Sequence, residues 1–354
     1  MVDLYLNFQD AYESENGELY VSSNRCNGLF KIFGGKSKFL GFFFDKTIDA
    51  QYLHKAVINK GDVLYFIPTW GNNIDIYKIE RNKFESRYFD KVSIGLTTTN
   101  IVIDEDVVFL PRDTGEKACA YNINKDDFRE LGWLNEGIAR LSNVRVCLEL
   151  YYATLYEDVI YAPIRNETGI MSIDYKSEIV SVLHPKLNER KLYSMDIDKG
   201  IAWITQEDKQ TILLWDIEDN SWDEITITKE AGEKYIPYIR IFFTEKKAVV
   251  VSRKSGIFYV VDKKTKKTEI IRTNNTVNED ETMNSTIWFY GGKVEGEKIT
   301  LYPSRTDRCV VLDVDDYSVS YVNTGVISCG KLIGASNIIT ENRLIGLSEF
   351  VMNL

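Results

Sequence analysis

The sequence predicts an all-β repeat protein, a β-propeller of four-stranded antiparallel blades with eight blade positions. Three observations carry this. An apolar strand ending in Pro, Ser or Thr recurs eight times along the 354 residues. Each copy is flanked by further strand and turn signals in the same order. Helical periodicity is nearly absent, with one short competitor around Lys229 to Tyr235.

The recurring strand reads Leu19-Tyr20-Val21-Ser22, Tyr65-Phe66-Ile67-Pro68, Val108-Phe109-Leu110-Pro111 and Ile160-Tyr161-Ala162-Pro163. It continues as Ala202-Trp203-Ile204-Thr205, Val249-Val250-Val251-Ser252, Thr300-Leu301-Tyr302-Pro303 and Ile345-Gly346-Leu347-Ser348. Its closing residues lie 42 to 52 positions apart, the spacing of a propeller blade. Before it stands a tight turn such as Asn16-Gly17, Lys60-Gly61, Glu105-Asp106, Glu157-Asp158 or Lys199-Gly200. These residue types tolerate the positive φ that two-residue hairpins need. After it come a polar loop and a third strand, as in Ile74-Asp75-Ile76-Tyr77, Ile212-Leu213-Leu214-Trp215 and Ile257-Phe258-Tyr259-Val260. A charged turn such as Asp262-Lys263-Lys264 then opens a fourth strand, Thr268-Glu269-Ile270-Ile271.

Seven complete units occupy about residues 6 to 325, and residues 331–354 supply material for one more strand pair. The expected eighth blade is finished by the N-terminal strand Val2 to Leu6, pairing beside Leu344 to Val351. Seven blades with an outlying C-terminal hairpin is the alternative. With Pro at only 6 residues and no Gly/Ser/Pro-rich linker, residues 1–354 read as a single β-propeller domain.

On these strands and turns the chain resembles bacterial propeller proteins of the broad kelch, WD40 and TolB-like kind, over nearly its whole length. Glycine doublets of the kelch type stand at Gly34-Gly35 and Gly291-Gly292, and Trp-Asp pairs at Trp215-Asp216 and Trp222-Asp223. The resemblance implies the architecture and transfers no functional residue.

Charge and composition exclude several functions. A net charge of −10 opposes nucleic-acid binding, which needs a basic footprint, and docking to an anionic membrane. No apolar run approaches the length of a membrane span. The opening Met1 to Asn7 has neither a basic nor an apolar signal region, which predicts a cytoplasmic protein. The cysteines Cys26, Cys119, Cys147, Cys309 and Cys329 are dispersed and form no C-x-x-C pair, so free thiols are expected. Only His54 and His184 could join them, so no metal site and no cofactor are expected. The acidic turns at 216–220 and 313–316 lack the glycine and distal glutamate of a calcium loop.

No nucleophile elbow, phosphate loop or Ser-His-Asp chain order is evident. Residues near first-strand entrances that could serve an enzyme at a central opening are His54, Glu149, Lys191, Tyr193, Tyr238 and Arg240. The most informative pattern lies just past the second strand, where six of eight copies place Arg25, Trp70, Arg112, Arg165, Arg253 or Arg305. In an acidic chain this loop repeatedly offers guanidinium, a planar fork matched to carboxylate, and Trp70 adds a flat apolar face. The expected function is therefore non-enzymatic recognition of an acidic saccharide or acidic protein segment through one loop face. A lyase or hydrolase acting on an acidic saccharide, and a protein–protein scaffold, are the alternatives.

Overall fold

The computed structural model describes residues 4–23, 28–43, 54–68, 73–88, 99–111, 117–141, 150, 152–164, 169–183, 191–227, 238–253, 256–274, 288–304, 306–324, 326–327, 339–340 and 343–344. Among them the strands form seven four-stranded antiparallel blades of a β-propeller, each with its strands in sequence order. The blades span residues 11–42, 54–88, 99–130, 154–183, 192–226, 238–272 and 289–323 and are numbered here 1 to 7. They fall into two compact units. One, Met1–Tyr88 with Thr273–Leu354, holds blades 1, 2 and 7; the other, Phe89–Arg272, holds blades 3 to 6.

Local sequence accounts for the strands. Second and third strands are nearly continuous apolar runs, the pattern of strands buried on both faces. Asp106–Leu110, Ile201–Gln206 and Lys247–Ser252 are buried over all or nearly all their length. Fourth strands alternate and face water, as in Trp222–Thr226 and Ser318–Asn323. The turns use the left-handed region where the sequence allows it, at Asp104, Glu157 and Lys199 and at Gly17, Gly61 and Gly296.

Between blades the core is aromatic and aliphatic. Trp203, Ile212, Leu214, Ile241, Val250 and Tyr259 fill the junction of blades 5 and 6. Polar locks sit at the rim of such junctions. Asp106 of blade 3 accepts from Asn122 (2.8 Å), Arg129 Nη1 (3.0 Å) and Tyr175 of blade 4 (2.8 Å). Burial raises the Asp106 carboxyl, but Arg129, Asn122 and Tyr175 outweigh it and hold the group below its ordinary value.

Two expectations are corrected. The first concerns the eighth blade. Leu4–Tyr5 pairs with Val326–Ile327, and Ile339–Thr340 pairs with Arg343–Leu344 as a separate two-stranded sheet. The N-terminal strand therefore closes onto the segment following blade 7. It does not pair beside Leu344, and no eighth four-stranded sheet forms among the described residues; residues 345–351 lie outside them. The second concerns helix. Gly132–Leu141 forms one, between blades 3 and 4, with Leu134 fully buried. It lies on Ile179–Leu183, the apolar fourth strand of blade 4, and Gly137 allows close approach to Val180. The segment Lys229 to Tyr235, singled out from sequence, lies outside the described residues. The helix is too short to cross a membrane, and no other described helix is long and apolar enough to do so.

Candidate functional site

The repeated Pro/Ser/Thr position has a structural counterpart. In four blades the register shifts where the chain enters the first strand. The residues at the entrance pair with the end of the second strand: His54 with Pro68, Leu192 with Gln206, Tyr238 with Ser252 and Phe289 with Pro303. Blade 4 follows suit, with an isolated bridge of Leu150 to Ile164 before regular pairing resumes at Thr154 and Tyr161. Each is a bulge of one extra residue, a device that re-aims a side chain at a strand end. The pairing also puts first-strand entrances and the starts of the following loops at the same end of each sheet. Of the sequence candidates, the described residues His54, Lys191, Tyr193, Tyr238, Arg240 and Arg253 belong to that end of their blades.

The clearest cluster joins blades 5 and 6. Thr205 Oγ1 donates to the carbonyl of Tyr238 (3.1 Å) and lies 2.7 Å from Ser194 Oγ. Asp196 accepts the backbone N–H of Ile241 (2.8 Å) and faces Arg240 Nη2 at 3.3 Å. The first strand is a sheet edge, so an N–H turned outward needs such an acceptor. Asp10 does the same in the other unit, accepting the N–H of Val57 at 2.9 Å. Burial raises the Asp196 carboxyl above the ordinary carboxylate range, with Arg240 and the Ile241 N–H only partly opposing it. Arg240 keeps 34% of its side chain exposed.

The remaining candidates divide. Tyr193 is buried against Tyr152 of blade 4, ring centroids 5.5 Å apart. Lys191 is exposed at the same entrance. Tyr238 turns inward, 1% exposed, and packs edge-on against Tyr259 in the core between blades. Arg253 follows the second strand of blade 6, partly buried, and its Nε lies beneath the surface without a hydrogen-bond partner among the described residues. Arg25, Trp70, Arg112, Arg165, Arg305 and Glu149 lie outside the described residues.

His54 is placed by its bulge between blades 1 and 2. Its Nδ1 meets Ser22 Oγ at 2.6 Å and its Nε2 meets Asp75 Oδ2 at 3.0 Å. Asp75 is also bound by Asn73 (2.9 Å) and Ser86, and the rings of Phe43 and Phe66 enclose the imidazole. A Ser–His–Asp relay is thus assembled that chain order did not suggest. All three residues are at most 5% exposed, so the relay latches two blades together and offers no nucleophile to solvent.

No protein-family model matches the chain, and no curated protein matches it in sequence. Solved structures do match in fold. Virginiamycin B lyase from Staphylococcus aureus superposes with a TM-score of 0.62 at 10% identity, covering 86% of this chain and 96% of that one. YCF48 from Cyanidioschyzon merolae gives 0.60 at 9%, covering 86% and 95%. The extracellular domain of a hybrid two-component system from B. thetaiotaomicron gives 0.57 at 12%, covering 91% of this chain and 39% of that one. The likeness is one of fold. These propellers carry different functions, so residues have to decide what this one does.

Sequence reasoning missed Asp196, Tyr152, Ser22 and Asp75. Acidic residues are common in this chain, and only the register of neighbouring blades distinguishes Asp196 from those in turns. Among the described residues no group of three His, Cys, Asp or Glu side chains is placed to hold a metal. The blade 5–6 end brings together a partly exposed guanidinium and a buried carboxyl, with the rings of Tyr193 and Tyr238 buried beside them.

Proposed function

We propose that this protein is a non-enzymatic binding propeller whose blades present guanidinium groups to a carboxylate-bearing ligand. The observation that carries this reading is Arg253. Among the described residues its Nε is buried without a partner, at the position where the sequence places Arg or Trp in six of eight copies. A buried donor without a partner costs roughly 1–3 kcal/mol, and an incoming carboxylate would remove that cost. Blades are rigid supports for such loops, and loops on rigid scaffolds are where recognition residues concentrate. The burial of His54 in its latch speaks against using it as the base of an enzyme.

The test is binding of acidic and neutral oligosaccharides and of acidic peptides to wild type and to an Arg165→Ala/Arg253→Ala double variant. Each charge-assisted bond is worth about 1.5–3 kcal/mol, so losing two weakens binding on the order of a hundredfold. Wild-type affinity should fall as salt rises. Unchanged binding by a folded double variant would refute the role of these arginines.

A further inference from the structure

We propose that the bulged entrances of blades 4 to 6 form a subsite for a sugar acid, Tyr152 stacking on the ring and Arg240 taking its carboxylate. This rests on the reading of the chain as a binder of carboxylate-bearing ligands and names the ligand class and a second set of contacts.

The starting point is backbone strain. Ten described residues other than glycine have positive φ, and nine of them sit in the tight turns between paired strands. Tyr152, with φ of 47°, is the exception. It lies inside the blade 4 bulge, between the Leu150–Ile164 bridge and the Thr154–Tyr161 pair. A bulky side chain in the left-handed region is a genuine outlier, and such strain persists where surrounding structure imposes it, often at ligand sites. The strain delivers a ring that is partly exposed and is supported from behind by the buried ring of Tyr193.

The same device operates in the next two blades. Tyr193 lies in the blade 5 bulge, and Arg240 directly follows the extra residue of blade 6. Asp196, three residues after Tyr193, faces Arg240 at 3.3 Å and orients its guanidinium. At about 3.3 Å of rise per residue, Tyr193, which backs the Tyr152 ring, and Asp196, which holds Arg240, are offset by roughly 10 Å along their shared strand. An aromatic face suits the apolar side of a pyranose, and a planar fork suits its carboxylate. An acidic peptide would use the arginine but leave the strained tyrosine unexplained, which favours the saccharide.

The test measures binding of a uronic-acid trisaccharide, its methyl ester and an oligoglutamate to wild type, Tyr152→Gly, Tyr152→Phe, Arg240→Gln and the Arg165→Ala/Arg253→Ala variant, with melting temperatures. The inference expects Tyr152→Gly to lose roughly tenfold in trisaccharide affinity while its melting temperature holds or rises, because glycine relieves the strain. Tyr152→Phe should keep binding. Arg240→Gln should weaken the trisaccharide and leave the methyl ester unaffected. Undiminished trisaccharide binding by Tyr152→Gly and Arg240→Gln, with loss in the double arginine variant, overturns this subsite and leaves the proposed function standing. So does wild-type binding of oligoglutamate alone. A lowered melting temperature in Tyr152→Gly makes the residue structural and also overturns the subsite. Failure of wild type to bind any of the three probes overturns both readings.

Discussion

Asp196 shows how one buried carboxyl can link two blades and carry a pH signature. Its acceptor role toward Ile241 and its contact with Arg240 do not offset the cost of burying its charge, so its carboxyl stays raised. The folded protein therefore binds the proton more tightly than the unfolded chain. Stability from this residue is complete below the ordinary aspartate value of about 4 and is lost as pH rises through the raised native value. Asp196→Asn keeps an acceptor for the Ile241 N–H and removes the titration. Thermal unfolding across that window should show the variant gaining on wild type as pH rises, and a constant difference would contradict the account. The cysteines that are described, Cys119 and Cys309, are buried thiols pushed up to about 12 by desolvation, which makes them packing residues.

At the scale of elements, the first-strand bulge is the unit that repeats, and glycine shows what it demands. Gly291 lies in the blade 7 bulge, where the register shifts between Phe289 and Gly292. A Cβ there would stand 1.9 Å from the backbone oxygen of Gln9, which no side-chain adjustment can relieve. Gly291, the first residue of the doublet that resembles a kelch signature, is thus required by a close backbone approach. Gly291→Ala is expected to destabilise by roughly 1–3 kcal/mol through overpacking. Chemical denaturation would measure it, and a midpoint equal to wild type would show that the bulge tolerates a methyl group. The helix Gly132–Leu141 has a different logic. The fourth strand Ile179–Leu183 is more apolar than its counterparts, and the helix covers it. Asn135 fastens the helix to blade 3, accepting the N–H of Ala118 at 2.7 Å.

For the molecule as a whole, the N-terminal segment is a fastening of blade 7 within its unit. Leu4–Tyr5 pairs with Val326–Ile327, and Asn7 Nδ2 donates to the carbonyls of Thr306 (2.7 Å) and Pro303 (3.2 Å). Thr324 Oγ1 donates to the carbonyl of Leu6 at 3.1 Å, and Leu6 and Phe8 are fully buried. Deleting residues 1–7 removes the paired strand, these bonds and the Leu6 side chain, whose burial alone is worth about 2 kcal/mol. The melting temperature should drop by several degrees in differential scanning calorimetry. A truncated protein that melts with wild type would show that this pairing contributes nothing to stability.

The sequence by itself determined the all-β class, the blade grammar and most strand positions. Apolar runs of Val, Ile and aromatic residues between Asn, Asp, Lys and Gly turns encode strands locally, and the spacing of the second strand needs only counting. The helix carries its Leu134, Ile138 and Leu141 at helical spacing, but sequence reading missed it and placed the one short helical competitor around Lys229 to Tyr235. Tertiary structure decided the rest. The fate of Val2 to Leu6 depended on which of several apolar segments it met, a long-range choice that local pattern does not encode. The bulges at His54, Leu192, Tyr238 and Phe289 were invisible because one extra residue changes the pairing without changing composition. That shift separates Tyr238, turned into the core, from Arg240, left part exposed beside Asp196, although sequence treats them alike. Side-chain direction in a strand has a period of two, so a single inserted residue reverses it, and only the paired strand reveals where the insertion falls.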